Sequence, residues 1–346
     1  MPVSISMALA VIVSFAAALF ITPKFIRFLE AAGITGKDIQ KREKPTIAEM
    51  GGPAVLTGFL AGIFFFIWAK VFLYKEVFLY GEDKILVELF AGITTILIIT
   101  IIGMFDDLSG LARRDKIDNF GNLKRIGLKQ WQKPLLTLPA AIPLMAIMAG
   151  DTSLTVPLLG QMNVGIFYPL LIVPIAIVGA SNATNMLAGM NGLESGLGAV
   201  LLATLGAYAY LHNEIAAAMI AFTFAAALLG FLWFNKYPAR IMPGDSVPYA
   251  IGAVVAVVAI IGNMEKFALY VFALWFVEFI LKLRSGFKAE SFGVLQPDGT
   301  LKAPYPKIYS LTHAVMKLRP MKEWKVVAIL IGVQAAIGMI VFLLIP

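Results

Sequence analysis

Asp106 and Asp107 are adjacent carboxylates at the end of a long apolar run, and residues of this type and spacing can do chemistry. Two carboxylates about 4 Å apart repel each other by about 4 kcal/mol at an effective dielectric constant of 20. Water relieves this repulsion, and so does a cation or a shared proton. The pair is therefore either a solvated helix end or a source of a base or of metal ligands.

A second polar segment, residues 182–194, follows another apolar run and contains three asparagines and two glycines but no lysine or arginine. Asn185 offers a neutral amide oxygen to a hard cation, and Gly189 and Gly192 allow a ligand to approach the backbone closely. Asparagine and glycine also end helices in ordinary turns. Three asparagines are more than a turn needs, which favours a binding site.

In a third segment, Asp245 and Ser246 lie at the start of an apolar run. Either residue could be an ordinary N-cap of the helix. The start of a helix also favours the binding of phosphate. Most of the basic residues beside the apolar runs are expected to be topology signals that touch anionic headgroups, and a few could neutralise phosphate. They are Lys37, Lys41, Arg42, Lys44, Lys124, Arg125, Lys129, Lys133, Arg284 and Lys288. Hard-cation ligands, helix starts and basic residues together are what phosphoryl transfer requires. No Walker A loop or kinase motif set indicates ATP as the donor.

The elements that must position these residues are membrane helices. Of the 346 residues, 60% are hydrophobic and 14% are charged, whereas soluble domains have about 25% charged residues. Because a span needs about 20 apolar residues, the sequence predicts a single all-α membrane domain, residues 1–346, with about ten transmembrane helices. Residues 4–22 are interpreted as the first span rather than as a signal peptide. The expected spans are 4–22, 51–70, 85–105, 134–150, 166–181, 196–211, 215–234, 247–263, 267–283 and 325–345.

The distribution of lysine and arginine predicts the orientation. The even-numbered connections and both termini hold only Lys70, Lys75, Lys84 and Lys266, while the other 24 of the 28 basic residues lie on the opposite side. Positively charged loops stay in the cytoplasm, so both termini are expected outside. The expected cytoplasmic segments carry nearly all of the unusual polar residues: 23–50, 106–133, 182–195, 235–246 and 284–324.

Two further features bear on the class of protein. In residues 291–305, apolar residues alternate along the chain on both sides of the turn sequence Gln296-Pro297-Asp298-Gly299-Thr300. This pattern predicts a small cytoplasmic β-hairpin, which could act as a sugar-recognition flap. Glu278 is the one acidic residue well inside an expected span, whereas a transporter or lipid flippase would carry ionisable residues through the membrane depth. An enzyme at the inner surface is therefore favoured over a transporter.

The chain resembles the polyprenyl-phosphate N-acetylhexosamine-1-phosphate transferases over residues 24 to 250, and its asparagine-rich segment is most similar to the dolichyl-phosphate N-acetylglucosamine branch. The bacterial cell-wall members usually have acidic residues where Ala188 and Asn191 stand. Six motifs in order carry the resemblance: Lys37-Asp38-x-x-Lys41, Glu49-Met50-Gly51-Gly52, Phe105-Asp106-Asp107, Lys133 with Leu135 to Pro139, the Asn182 to Glu194 segment, and Gly244-Asp245-Ser246.

The resemblance implies that UDP-N-acetylglucosamine donates its sugar 1-phosphate to a polyprenyl or dolichyl phosphate and releases UMP, which starts lipid-linked oligosaccharide synthesis. Asn185 and Asp245 would hold Mg²⁺, with Mn²⁺ as an alternative ion, and Asp106 or Asp107 would act on the lipid phosphate. Lys133 would neutralise pyrophosphate. The remaining candidates for substrate binding are Gly189 and Asn191 at the uracil, Glu49 at the ribose, and Lys37, Asp38, Lys41, Arg284 and Lys288.

Two departures from the family pattern affect the donor site. The segment from Arg284 to Glu290 lacks the histidine of the usual sugar-pyrophosphate motif, and Met242-Pro243 stands where an aromatic residue usually lies under the uracil. Another UDP-N-acetylhexosamine therefore stays an alternative donor. The expected location is the plasma membrane or the endoplasmic reticulum membrane with the site facing the cytoplasm. The partners are the UDP-sugar, the lipid phosphate and the bilayer, with no nucleic acid, and a homodimer is left open.

Overall fold

The computed structural model describes residues 3–73, 84–112, 116–117, 123–124, 131–156 and 160–345, and over these ranges the chain is mostly helical, as predicted. Lys75 and much of the expected cytoplasmic loop 106–133 lie outside the described residues. The helices of the described ranges are α1 Val3–Ala31, α2 Gly52–Trp68, α3 Lys84–Ala112, α4 Gln132–Thr137, α5 Ile142–Ala146, α6 Val173–Thr184, α7 Leu193–Leu211, α8 Ile215–Asn235, α9 Ser246–Ile261, α10 Glu265–Val271, α11 Ala273–Leu283, α12 Leu311–Leu318 and α13 Glu323–Leu344.

Each of the ten expected spans contains helix, but residues 147–150 of the fourth lie beyond its last helical piece, Ile142–Ala146. By length and composition, six apolar helices in the described ranges can cross a membrane: Ser4–Ala31, Gly52–Leu73, Lys84–Gly110, Leu193–Leu211, Ile215–Asn235 and Glu323–Leu344. Tyr168–Thr184 and Ser246–Ile261 are shorter apolar helices. The length and composition of these helices indicate an integral membrane protein. The count of ten spans stays a prediction.

The expected fourth span is divided into short helical pieces by its prolines. Pro134 lies in the first turn of α4, Pro139 in a 3₁₀ segment, Leu138–Ala141, and Pro143 in the first turn of α5. Proline has no N–H to donate and fits the first turn of a helix, where that donor has no partner in any case. Each proline therefore begins a new piece.

Helices α8 and α9 form the centre of the bundle, because nearly every residue along both is buried. Helices α1, α2 and α7 pack around α8, while α3 and α6 pack against α9. Ser14 of α1 donates a 2.6 Å hydrogen bond to the Thr223 carbonyl oxygen of α8. Such contacts between small polar residues stabilise helix pairs in membranes, where apolar side chains gain little by meeting. The packing brings the end of α3 to the start of α9.

Small two-stranded antiparallel sheets lie between the helices. The pair β7 Val294–Leu295 and β8 Leu301–Lys302 confirms the hairpin expected within residues 291–305, which we call the flap. The other pairs in the described ranges were not expected: β1 Thr35–Lys37 with β2 Thr46–Ala48, β3 Lys116–Ile117 with β4 Leu123–Lys124, and β5 Ser153–Val156 with β6 Gly160–Asn163.

Glu278, the acidic residue inside an expected span, supports the flap. One of its carboxylate oxygens accepts a 2.7 Å hydrogen bond from the Leu311 N–H at the start of α12, and the other lies 3.7 Å from the Lys282 ammonium. Lys282 in turn donates to the Ala289 carbonyl at 2.9 Å and to the Ser291 hydroxyl at 2.7 Å. This buried charge pair therefore joins α11, the start of the flap and α12.

Candidate active site

One polar cluster contains Asp106 from the last two turns of α3, Lys133 from the first turn of α4 and Asp245, which directly precedes α9. The Lys133 ammonium lies 2.5 Å from an Asp106 carboxylate oxygen and 3.3 Å from an Asp245 carboxylate oxygen. Asp106 is 3% exposed, so its charge has little water around it. The lysine therefore relieves the repulsion between two carboxylates that come from helices distant in the sequence.

Asp107 binds backbone N–H groups, whereas Asp106 binds the Lys133 side chain. The two carboxylate oxygens of Asp107 accept hydrogen bonds from the backbone N–H groups of Asp245, at 2.6 Å, and Ser246, at 3.2 Å. The sequence suggested that Asp245 could cap α9 itself, but the Asp245 side chain makes no capping hydrogen bond. Asp107 thus caps α9 from a neighbouring helix, and the Asp245 carboxylate is left to face Lys133.

Close packing of α3 on α9 makes this cap geometrically feasible. A Cβ atom added at Gly103, one turn before Asp107, would lie 2.6 Å from the Ser246 Cα atom. Real side chains never tolerate so short a contact with the backbone, so any larger residue at this position would separate the two helices. Glycine here brings Asp107 within hydrogen-bond distance of the first N–H groups of α9.

The end of α6 completes the cluster. The Asn185 side chain hydrogen-bonds the Asp245 carboxylate and also the Tyr249 hydroxyl. The Tyr249 hydroxyl lies 3.4 Å from the Asn182 side-chain oxygen, to which it donates. The Lys133 ammonium lies 5.8 Å from the centre of the Tyr249 ring, within the range of a cation–π interaction. Four helix ends therefore converge on one polar cluster.

The charges of the cluster are set by its contacts. Burial alone would raise the pKa of Asp245, but the Lys133 ammonium and hydrogen bonds with Asp106 and Asn185 hold that pKa below its ordinary value. Burial would lower the pKa of Lys133, yet the neighbouring Asp245, Tyr249 and Asp106 groups raise it above its ordinary value. Asp245 is therefore an anion and Lys133 a cation at neutral pH.

The donor set around Lys133 fits a hard divalent cation. The carboxylates of Asp106 and Asp245 lie around the Lys133 ammonium, and the Asn185 side chain lies beside Asp245. Carboxylate and amide oxygens are ligands that Mg²⁺ prefers. In the described part of the chain, no three His, Cys, Asp or Glu side chains group closely enough to form a cage by themselves. This suits Mg²⁺, which takes one or two carboxylates and completes its shell with water and substrate phosphates.

The loop that follows α6, residues 185–192, is held by polar contacts on several sides, and we call it the Asn loop. Glu194 accepts a 2.8 Å hydrogen bond from the Gly189 N–H. Asn191 donates from its side chain to Asp38 at 3.1 Å and accepts from the Ala239 N–H at 2.8 Å. Both ends of the Asn191 amide are thus engaged in holding neighbouring segments in this structure.

Lys41 and Glu323 connect the Asn loop to the last helix. The Lys41 ammonium pairs with Asp38 at 3.0 Å and also with Glu323, whose other oxygen accepts a 2.7 Å hydrogen bond from the Asn191 N–H. The same ammonium lies 4.4 Å from the centre of the Tyr237 ring. Asp38 and Lys41, both predicted for substrate binding, therefore hold the Asn loop in place.

The model of glycosyl transferase family 4 matches residues 89–263, which are half of the chain and include the cluster around Lys133. A protein of Saccharolobus solfataricus is 34% identical over 342 residues, 98% of this chain and 97% of that protein. The chain belongs to glycosyl transferase family 4. This confirms the resemblance that the six motifs indicated.

Two other relatives show the range of the family. The Saccharolobus protein and one of Sulfolobus acidocaldarius, 32% identical over 94% of this chain and 92% of that protein, share the name “Putative UDP-N-acetylglucosamine–dolichyl-phosphate N-acetylglucosaminephosphotransferase”. The “Phospho-N-acetylmuramoyl-pentapeptide-transferase” of Streptococcus pyogenes is 30% identical over 74% of this chain and 73% of that protein. The family thus includes relatives named for different sugar donors.

The structure does not bring every predicted site residue to the cluster around Lys133. Glu49 is buried close enough to Asp107 to repel its charge, so it belongs to the same region. Lys37, Arg284 and Lys288 are exposed, and their roles toward substrate stay predictions.

Several residues of the site were not found by sequence reasoning. Tyr249 lies inside an apolar helix, and Glu323 at the start of the last span reads as an ordinary helix-start residue. Gln40 occupies an unspecified position inside the motif Lys37-Asp38-x-x-Lys41, and Phe292 lies in a loop outside the six motifs. Their partners are more than 60 residues away in sequence, so no local pattern reveals them.

Asp106 and Asp107 should respond differently to substitution. Asp107→Ala removes the cap of α9, which typically costs about 0.5–2 kcal/mol of stability, and lets Asp245 move. Asp106→Asn keeps the shape but removes a charge, so we expect near-wild-type thermal stability and a loss of about 10²–10⁴ in turnover. Thermal melting and kcat of the two purified variants check this. Equal melting temperatures for Asp107→Ala and wild type would contradict the capping role.

Proposed function

We propose that this protein transfers N-acetylglucosamine 1-phosphate from UDP-N-acetylglucosamine to a polyprenyl phosphate, the dolichyl type included, and releases UMP. The observation that carries the proposal is the cluster of Asp106, Lys133, Asn185 and Asp245 at four converging helix ends. Relatives that match nearly the full length bear the name of this activity. A buried lysine among carboxylates suits a reaction between two anionic phosphates, because each needs its charge neutralised.

The reaction requires one bond to form and one to break. A phosphate oxygen of the acceptor lipid attacks the β-phosphorus of the UDP-sugar, and the bond from that phosphorus to the bridging oxygen breaks. UMP departs with the electron pair, and the sugar stays on the transferred phosphate. Lys133 can stabilise the negative charge on the transferring group. The protein then supplies positioning and charge neutralisation, which account for most catalysis in phosphoryl transfer.

Within this reaction Asp106 and Asp107 have separate roles. Both oxygens of Asp107 accept backbone hydrogen bonds at the start of α9, so Asp107 positions Asp245. Asp106 instead contacts the Lys133 side chain, which can turn from Asp106 to a substrate phosphate. Asp106 is therefore the residue that orients the acceptor phosphate and takes a proton from it when the phosphate arrives protonated.

A divalent cation belongs to the proposal. Asp245 and Asn185 would hold Mg²⁺, or Mn²⁺ in its place, and the ion would supply positive charge to the donor pyrophosphate. The depressed pKa of Asp245 keeps this carboxylate ionised at neutral pH, as a metal ligand must be. Lys133 would then leave Asp245 and turn toward phosphate.

The proposed topology has ten spans, with both termini outside and the site facing the cytoplasm of a plasma or endoplasmic reticulum membrane. The 24 basic residues on one side support this orientation. The convergence of Asp106, Lys133, Asn185 and Asp245 also supports it, because all four were expected on the same side. A cytoplasmic site gives direct access to a nucleotide sugar.

A second candidate donor is another UDP-N-acetylhexosamine, such as a cell-wall precursor. The relative from Streptococcus pyogenes favours it, because that protein bears the name of a muramoyl-pentapeptide transferase and covers 74% of this chain. Ala188 and Asn191 favour N-acetylglucosamine, since the cell-wall members usually have acidic residues at both positions.

A donor screen tests the proposed function. Purified protein in detergent is supplied with a polyprenyl phosphate and one UDP-sugar at a time, and UMP and the lipid product are measured. We expect turnover with UDP-N-acetylglucosamine and at least tenfold less with other UDP-sugars, because pockets that hydrogen-bond a sugar reject its analogues strongly, by roughly 10⁴ in favourable cases. The Asp106→Asn variant is the inactive control. Turnover of a different UDP-N-acetylhexosamine alone supports the second candidate, and none at all contradicts both.

Metal dependence provides an independent test. We expect Asn185→Ala and Asp245→Ala to raise the Mg²⁺ concentration at half-maximal activity, while Asp106→Ala mainly lowers turnover. Asn182→Ala, one helical turn before Asn185, is the matched control and should leave the midpoint unchanged. Activity is titrated against Mg²⁺ for each variant. Unchanged midpoints in both Asn185→Ala and Asp245→Ala would exclude these residues as ligands.

The topology can be tested by labelling, because the chain contains no cysteine. His212 and Asp298 are exposed and lie in connections expected on opposite sides. In intact cells, a membrane-impermeant thiol reagent should label a cysteine at 212 and should reach one at 298 only after permeabilisation. The reverse pattern would invert the topology and place the site outside.

A further inference from the structure

Gln40, in the loop between β1 and β2, joins two segments of the site that come from distant parts of the chain. Its side-chain N–H donates a 3.0 Å hydrogen bond to the Gly189 carbonyl oxygen in the Asn loop. Its side-chain oxygen accepts a 3.0 Å hydrogen bond from the Gly293 N–H in the flap. Gln40 is 4% exposed, so this amide connects the Asn loop to the flap inside the protein.

The flap rests on the Asn loop at two further points, both directly before Gly293 in the chain. The Ser291 hydroxyl lies 3.4 Å from the Met186 carbonyl oxygen, to which it donates. The Phe292 ring lies against Gly189, since a Cβ atom added there would be 2.6 Å from the ring. Gly189 also has φ of +105°, a conformation that other residues rarely adopt. Three consecutive flap residues therefore follow the surface of the Asn loop.

The chemistry of the bridge requires an amide. One partner is a carbonyl oxygen, which only accepts, and the other is an N–H group, which only donates. A primary amide presents one donor and one acceptor at its tip, so its orientation here is fixed by its neighbours. A carboxylate of the same shape could still accept from Gly293, but it would place an oxygen against the Gly189 carbonyl.

We propose that Gln40 is a positioning residue that holds the flap, residues 291–305, against the Asn loop and thereby shapes the binding site of the sugar-nucleotide donor. Gln40 acts through Gly189 and Gly293 rather than on the reacting atoms. The identity of the donor rests on the proposed function, whereas the clamp itself rests only on these contacts.

The clamp should affect donor and acceptor differently. The Asn loop begins at Asn185, whose side chain hydrogen-bonds Asp245 in the reacting cluster, and the flap lies against its middle at Gly189. Asp106, which orients the acceptor phosphate in the proposed mechanism, lies on α3 beside Lys133, whereas Gln40 contacts the Asn loop and the flap. Loss of the clamp therefore changes the use of the UDP-sugar and leaves the use of the lipid phosphate almost unchanged.

The first arm of the test measures kinetics of Gln40→Glu, which keeps the size of the side chain and removes the hydrogen bond to the Gly189 carbonyl. We expect KM for UDP-N-acetylglucosamine to rise about tenfold or more, the effect typical of a lost buried hydrogen bond, with KM for the polyprenyl phosphate within about twofold of wild type. Glu43→Gln is the matched control, because Glu43 is exposed in the same loop. It should match wild type in both constants.

The second arm measures the flap without using activity. Lys302 in β8 is exposed, so trypsin cleavage after Lys302 reports how often the flap leaves its position. We expect faster cleavage in Gln40→Glu than in wild type or Glu43→Gln, and protection by UDP-N-acetylglucosamine in wild type. If Gln40→Glu does not fold, as judged by thermal melting, Gln40→Asn replaces it in both arms, because its amide is too short to reach both partners.

Faster cleavage together with a raised donor KM supports the proposal. Unchanged cleavage and unchanged KM in a folded variant overturn it, and either change without the other overturns the link between flap position and donor binding. If no UDP-sugar is turned over by wild type, the proposed function fails, while the trypsin comparison still decides whether Gln40 holds the flap.

Discussion

The first N–H groups of a helix have no partners within that helix, and inside a membrane bundle little water is present to supply them. At the start of α9 the two oxygens of Asp107 fill this need, and the rest of the site depends on that contact. It fixes the backbone at Asp245 and so the direction of the Asp245 carboxylate. It also requires α3 and α9 to pack as closely as Gly103 allows. A cap supplied by a separate helix thus sets the geometry of the reacting cluster.

Charge balance is the second constraint. Asp106, Asp107 and Asp245 lie within one small region, and among the described residues the Lys133 ammonium is the positive group in contact with two of them. The substrates of the proposed reaction bring further negative charge. One lysine cannot neutralise both the protein and two phosphates, so the site as built suits an added divalent cation. Lys133 on the short helix α4 is well placed to exchange carboxylate partners for phosphate.

Much of this arrangement could be predicted from the sequence, because helix ends and hairpins have local signals. The apolar runs predicted that Asn185 follows α6 and that Asp245 precedes α9, and Gln296 to Thr300 predicted the flap turn. The helix end expected at Asp106 was wrong, because α3 continues to Ala112. The different contacts of Asp106, with Lys133, and of Asp107, with the start of α9, could not be predicted, because they depend on which N–H groups another helix presents. The capping role first suggested for Asp245 belongs to Asp107 for the same reason. Side chains such as Gln40, whose partners are 149 and 253 residues away, give no local signal.

The flap shows how a departure from a family pattern is accommodated. The usual histidine motif is missing after α11, and the lysine of that region, Lys282, is buried in contacts with Glu278 and Ser291. These contacts hold the residues at which the flap begins. The neutral side chain of Gln40 holds the next part of the flap, at Gly293, against the Asn loop. A charged anchor at that contact would compete for the phosphates that the site must bind, whereas an amide does not. The exposed Arg284 and Lys288 precede the anchored flap and the exposed Lys302 lies within it, so the contacts named above hold the flap without using these three cations.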